Sequence, residues 1–194
     1  MFFKTLFLGG AIGLLTSFLV KTSEYTAVLI PFDFMELIGL LLFFTGLGLV
    51  FTVVSQTGFF AYLFIHRYGQ NFFRSFWPAV QLLIIAFVIF DLIYFPYKGA
   101  DGKIPLYIFV LLTTFIVVFG LIVAQIKSKK TNKTAFIPTL FVMVVILALE
   151  WSLVLRAGDI DYMLLMLMPL LATNAYQILV LHEVTKLDND KRSD

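Results

Sequence analysis

Two carboxyl side chains interrupt apolar stretches of this sequence, where an ionisable group is expensive. Glu150 closes a run that begins at Phe136, with Trp151 beside it and Arg156 less than two turns further on; Asp91 sits in a second run, Phe76 to Phe95. An acid in such surroundings is paired, interfacial or part of a working site, and two at one level could carry an ion or a proton. A second set is neutral: Ser55, Gln56, Gln81, Gln125, Asn174 and Gln177. Groups of this kind hydrogen-bond across helices in lipid, at about 0.6 kcal/mol each on average. Nothing supplies a nucleophile with its base. His66 and His182 fall at helix ends, and the His182–Glu183 pair lacks the second histidine, four residues on, that a zinc-hydrolase helix needs. There is no Gly-x-Ser-x-Gly elbow, phosphate-binding loop or dinucleotide fingerprint. With no cysteine there is no disulfide, thiolate metal site or cysteine nucleophile. The expectation is a protein that is not an enzyme and holds no cofactor or metal.

The elements that must carry these groups are helices long enough to cross a bilayer. The chain of 194 residues is 61% hydrophobic and 13% charged, against roughly 25% charged in an ordinary soluble domain. Its apolar residues fall in blocks of about 20, the length that crosses a hydrocarbon core at ~1.5 Å per residue. Six spans are expected: Thr5 to Val20, Phe34 to Val54, Phe76 to Phe95, Leu106 to Ile126, Phe136 to Leu155 and Tyr162 to Leu181. Pro31 and the Asp33/Glu36 capping pair precede the second, Ser75 and Pro78 open the third, Pro96 closes it, and Pro105 opens the fourth. The second span either runs on as one long helix towards His66 and Arg67 or breaks at Gly58 before an interfacial helix. The first, with no small-x-small cleavage pattern after it, is read as a retained anchor. Gly9, Gly13 and Ser17 give it a small-residue face for close packing. The fold class is all-α: a polytopic membrane protein with a single six-helix domain over residues 1–181 and a short mobile cytoplasmic tail, 182–194.

Orientation follows from where the cations lie. Lys4, Arg67, Arg74, Lys127, Lys129, Lys130, Lys133, Lys186, Lys191 and Arg192 fall on the side that holds both termini; Lys21, Lys98, Lys103 and Arg156 fall on the other. The positive-inside rule then puts both termini in the cytoplasm and the protein in the cell membrane. Asp91 and Glu150 each lie about 14 residues beyond the inner start of their spans, about 21 Å outward. That places them together in the outer third with Trp151 and Arg156, and with Glu36 at the outer end of span two. A structural clamp among spans two, three and five is the first reading of this outer cluster. A small transporter or channel using Asp91 and Glu150 competes with it. The neutral set forms an inner layer, read as packing glue or a partner contact. The net charge of +2 arises in short loops and not on a basic face, so nucleic acid is not an expected partner; the Lys127–Lys133 loop serves topology beside anionic lipid.

Five segments are long and broken by polar residues: "VSQTGFFAYLFIHRYG" (Val54 to Gly69), "FVIFDLIYF" (Phe87 to Phe95), "TNKTAFIPTLF" (Thr131 to Phe141), "LEWSLVLRAGD" (Leu149 to Asp159) and "LMPLLATNAYQIL" (Leu167 to Leu179). In these, and over nearly the full chain, the sequence resembles the KinB-signalling pathway activation protein family, KbaA, of endospore-forming bacilli. The resemblance implies a multi-pass membrane protein that promotes signalling by the sporulation sensor histidine kinase KinB, feeding the phosphorelay that starts spore formation. It brings no catalytic residues. Its implied partners are membrane lipids and KinB or a similar membrane kinase. A chain without soluble domains would bias that kinase by packing against its transmembrane helices and shifting a two-state equilibrium.

Overall fold

A computed structural model describes the backbone of residues 2–100, 104–155 and 160–193, and the side chains of 2–100, 104–152 and 160–181. Lys103 and Arg156 lie outside the described residues. The described chain is built of helices: α1 (Phe2–Val20), α2 (Thr22–Leu29), α3 (Phe34–Phe73), α4 (Trp77–Gly99), α5 (Leu106–Lys130), α6 (Phe136–Phe141), a π-helix (Val142–Ile146), α7 (Leu147–Leu155) and α8 (Ile160–Ser193). Among the described residues, five stretches are long and apolar enough to cross a membrane: Phe2–Val20, Phe34–Gly99, Leu106–Lys130, Lys133–Ser152 and Ile160–Leu181.

The second stretch has 66 residues, about 100 Å of helix if straight, and it reverses direction. α3 opens on Asp33, whose carboxylate accepts from the backbone N–H of Met35 and Glu36 at 2.9 and 3.1 Å, the expected cap. It runs unbroken through Gly58 and ends at Arg74, where a φ of 49° leaves the right-handed region. A single 3₁₀ turn leads into α4. Trp77 then folds back over Gly69, where any Cβ would meet the indole at 2.5 Å, and donates its Nε1–H to His66 Nδ1 at 3.0 Å.

Contacts with the α6–α7 segment give the directions. Tyr62 and Trp77 lie beside Phe141; further along, Gly58 meets Ile146 and Glu150, while Asp91 and Leu92 share a groove with Ala148 and Ser152. α3 is therefore antiparallel to α6–α7 and α4 parallel to it, so α3 and α4 are two separate passes through the bundle.

Glycines set the tightest approach. Gly13 of α1 packs directly on Gly48 of α3, where a Cβ would come within 2.7 Å of the opposite Cα, and Gly9 packs on Thr52. The small-residue face of α1 is thus spent inside the molecule, with Ser17 hydrogen-bonded to Tyr25 at 2.7 Å. Two features bear on the sequence expectation. The Lys21–Pro31 connection, which carries no span and no expected element, contains α2. Of the two readings of the second span, the one long helix is formed: it continues through Gly58 to Phe73, with Ser55 and Gln56 buried against other helices.

Candidate functional site

Three helices meet around Glu150. Its carboxyl Oε2 accepts a hydrogen bond from Asn174 Nδ2 at 2.7 Å. Asn174 Oδ1 accepts from Ser55 Oγ at 3.1 Å, and the same hydroxyl accepts from Gln177 Nε2 at 2.8 Å. Gln177 also donates to the Thr173 carbonyl at 3.2 Å. The other oxygen, Oε1, lies over Gly58, where a Cβ would overlap it. Glu150, Ser55, Asn174 and Gln177 are all buried, with Glu150 5% exposed. None of these side chains stands at a helix end facing water: Ser55 lies near the midpoint of α3, Asn174 and Gln177 in the central turns of α8, and Glu150 deep in the pass that begins with α6.

The π-helix at Val142–Ile146 helps aim Glu150. A π turn adds one residue to the ladder and rotates the succeeding side chains by about 100° relative to an unbroken α-helix. Beyond it, Glu150 and Trp151 face inward. Trp151 is 1% exposed and donates its Nε1–H to the Met163 carbonyl at 3.1 Å. Their neighbours Leu149 and Ser152 face outward.

Asp91 stands at the level of Glu150 on the far side of α7. It is half-buried and lines an open groove of about 1030 Å³ with Val88, Phe95, Leu149 and Ser152. The sequence points to a partner for Glu150 in Asp91 or on a neighbouring helix, and among the described residues that partner is Asn174 of α8 and not Asp91. Glu36 is exposed at the start of α3, Trp151 belongs to the core, and Arg156 is outside the described residues. The outer clamp of Glu36, Asp91 and Glu150 is not formed among the described residues. The physical reason is that equal depth does not give equal facing: the π turn points Glu150 away from α4, and the greater length of α3 brings Ser55 level with it.

Of the inner set, Ser55, Asn174 and Gln177 are brought together. Gln56 is buried elsewhere, its Nε2 donating to the Phe2 carbonyl at 3.2 Å; Gln81 is buried within α4, apart from the seam, and Gln125 is exposed. Sequence reasoning missed two partners. Gly58, in the sequence a candidate break, is the notch that admits the Glu150 carboxyl; it lies three residues after Ser55, on the same helix face. Lys21 is largely buried and reaches Asp161 at 3.0 Å and the Tyr162 ring at 4.8 Å, tying the α1–α2 turn to the start of α8.

The seam offers an acid, two amides and a hydroxyl in a fixed pattern. Its chemistry is that of a lock: because the Ser55 hydroxyl both donates and accepts, losing one member disturbs the others, and the register of α3, α7 and α8 is set together.

Comparison with known proteins gives a consistent result. The KbaA family, described as KinB-signalling pathway activation in sporulation, matches residues 9–184. The KinB-signaling pathway activation protein of Bacillus subtilis (strain 168) is 41% identical over 184 residues, covering 93% of this chain and 92% of that protein. No solved structure matches significantly.

Proposed function

The chain belongs to the KbaA family, and from that premise we propose that it is a non-enzymatic regulator of the cell membrane which promotes activation of the sensor kinase KinB, or a similar membrane kinase, by lateral contact between helices. It crosses the bilayer six times with both termini in the cytoplasm. The reversal at Arg74 supports the count, since it divides the 66-residue stretch into two passes. The excess of Lys and Arg on the side of the termini supports the orientation.

The observation that carries this reading is where the polar groups go. Ser55, Asn174, Gln177 and Glu150 bond to one another, and the glycine face of α1 is covered by α3. The glycine face and, of the inner layer, Ser55, Gln56, Asn174 and Gln177 are used internally, while Gln125 stays exposed. The bundle therefore acts as a unit, and influence on a neighbour passes through its lipid-facing sides. Moving a kinase from one-tenth to nine-tenths active requires about 2.6 kcal/mol of differential binding. A few interhelical contacts at roughly 0.6–1.7 kcal/mol each suffice. The competing transport reading loses its shared path, because Asp91 and Glu150 face opposite sides of α7.

The test is purification of the tagged chain from membranes of cells entering sporulation. The kinase co-purifies, and deleting the chain lowers the phosphorelay output. A kinase that neither co-purifies nor crosslinks while activation persists removes the contact mechanism.

A further inference from the structure

The groove beside Asp91 holds a polar group with no hydrogen bond or ion pair to another described residue. It is walled by two helices running in the same direction, α4 and α7, and extends from Val88 to Gly99, about 16 Å or three helical turns. Its sides are apolar and open: Phe95 is 60% exposed and Leu149 is 62% exposed. Into this wall projects one half-buried carboxyl, with Lys98 lining the outer end of the groove, and no hydrogen bond or ion pair reaches Asp91 from any described residue. We infer that the groove receives a transmembrane helix of the partner and that Asp91 binds a lysine or arginine carried by that helix. This rests on the reading of the chain as a regulator that works by lateral helix contact.

Depth and charge select this occupant. Asp91 lies about seven residues, about 10 Å, inward of Lys98, with Tyr94 and Tyr97 between them and the Lys98 ammonium 5.9 Å from the Tyr94 ring. A tyrosine and lysine belt of this kind marks the headgroup level. A lipid headgroup held there does not reach Asp91, and an acyl chain in the groove offers a carboxyl no donor. A second copy of this chain is also a poor fit, because all 14 of its Lys and Arg residues lie at the ends of the apolar runs or beyond them. A partner helix with a cation one or two turns below its own outer end supplies both the apolar ridge that fills a three-turn groove and the charge that an acid facing lipid lacks.

The chain has no cysteine, so single cysteines report faces cleanly. Val88→Cys, Phe95→Cys and Leu149→Cys stand in the groove; Phe90→Cys, exposed on the opposite face of α4, is the control. Each is expressed at natural level in membranes with the kinase carrying cysteines along its transmembrane helices. Groove positions are expected to crosslink to one kinase helix at least tenfold more than Phe90→Cys. Asp91→Lys is expected to lower both crosslinking and phosphorelay output at least tenfold, with recovery when the basic residue of that kinase helix is changed to Asp. Asp91→Asn, the milder variant, keeps the proposal testable if Asp91→Lys does not accumulate, and is expected to lower both several-fold. Crosslinks from Phe90→Cys alone overturn the groove and leave lateral contact standing. Absence of crosslinks from every face, with activation intact, overturns the contact mechanism as well. Groove crosslinks only to a second copy, groove positions that trap only lipid, or rescue of Asp91→Lys by Arg156→Asp within this chain each overturn the assignment.

Discussion

Asp91 and Glu150 stand at one level on opposite sides of α7, yet their surroundings have nothing in common. Glu150 is enclosed by Gly58, Asn174 and the Ser55–Gln177 pair; Asp91 opens onto a groove whose walls are large exposed apolar side chains. An acid inside a bundle of helices does two different jobs according to what faces it. Enclosed and hydrogen-bonded, it fixes register. Left at an open apolar wall, it is a demand for a partner. The helix between them makes the division, with Glu150 and Trp151 on one side and Leu149 and Ser152 on the other.

Substitutions test that division. Gly58→Leu should have the largest effect on stability. With the Glu150 carboxyl already against the glycine, a side chain there forces α3 from α7, at about 3 kcal/mol or more. Little protein should survive heating in detergent, and a variant that melts like the parent would mean the notch is not closed. Glu150→Leu comes next: it strands the Asn174 amide, costing about 1–3 kcal/mol, while Glu150→Gln keeps an oxygen for that amide and should cost under about 1 kcal/mol. Equal Tm values for the two would remove the bond to Asn174 from the account. Asp161→Asn, at the half-exposed partner of Lys21, should cost no more than about 1 kcal/mol, in the range of surface ion pairs, measured the same way at low and high salt. Asp91→Asn should be the mildest, within about 0.5 kcal/mol of the parent, while it alone of the set lowers kinase output at unchanged protein level. A large drop in its Tm would place Asp91 in the packing and erase the contrast.

Much of the architecture was legible in the residues. Apolar blocks bounded by Pro31, Pro78 and Pro105 located the passes, and Asp33 announced the start of α3; Pro96, expected to close the third span, instead lies buried inside α4, which runs on to Gly99. The length of α3 was left between one long helix and a break at Gly58, because Ser55–Gln56–Thr57–Gly58 is polar; Ser55 and Gln56 are buried by α8 and the N-terminus, and the helix runs on. Depth was also legible: counting along the helices put Asp91 and Glu150 at one level, and the shared neighbourhood of α7 keeps them there. Facing was not, because the π turn at Val142–Ile146 lies in a wholly apolar stretch with no Pro or Gly to mark it. Each of its residues is buried, so the wider turn is stabilised by its neighbours and leaves no local signal.

The most direct measurement is kinase autophosphorylation in nanodiscs that hold the purified kinase with or without this chain, no other protein being present. The account predicts that adding the chain raises autophosphorylation several-fold, that Glu150→Gln largely preserves the gain, and that Asp91→Asn removes most of it. An unchanged rate on adding the intact chain, under conditions where cells need it for the same kinase, would contradict activation by direct contact within the bilayer.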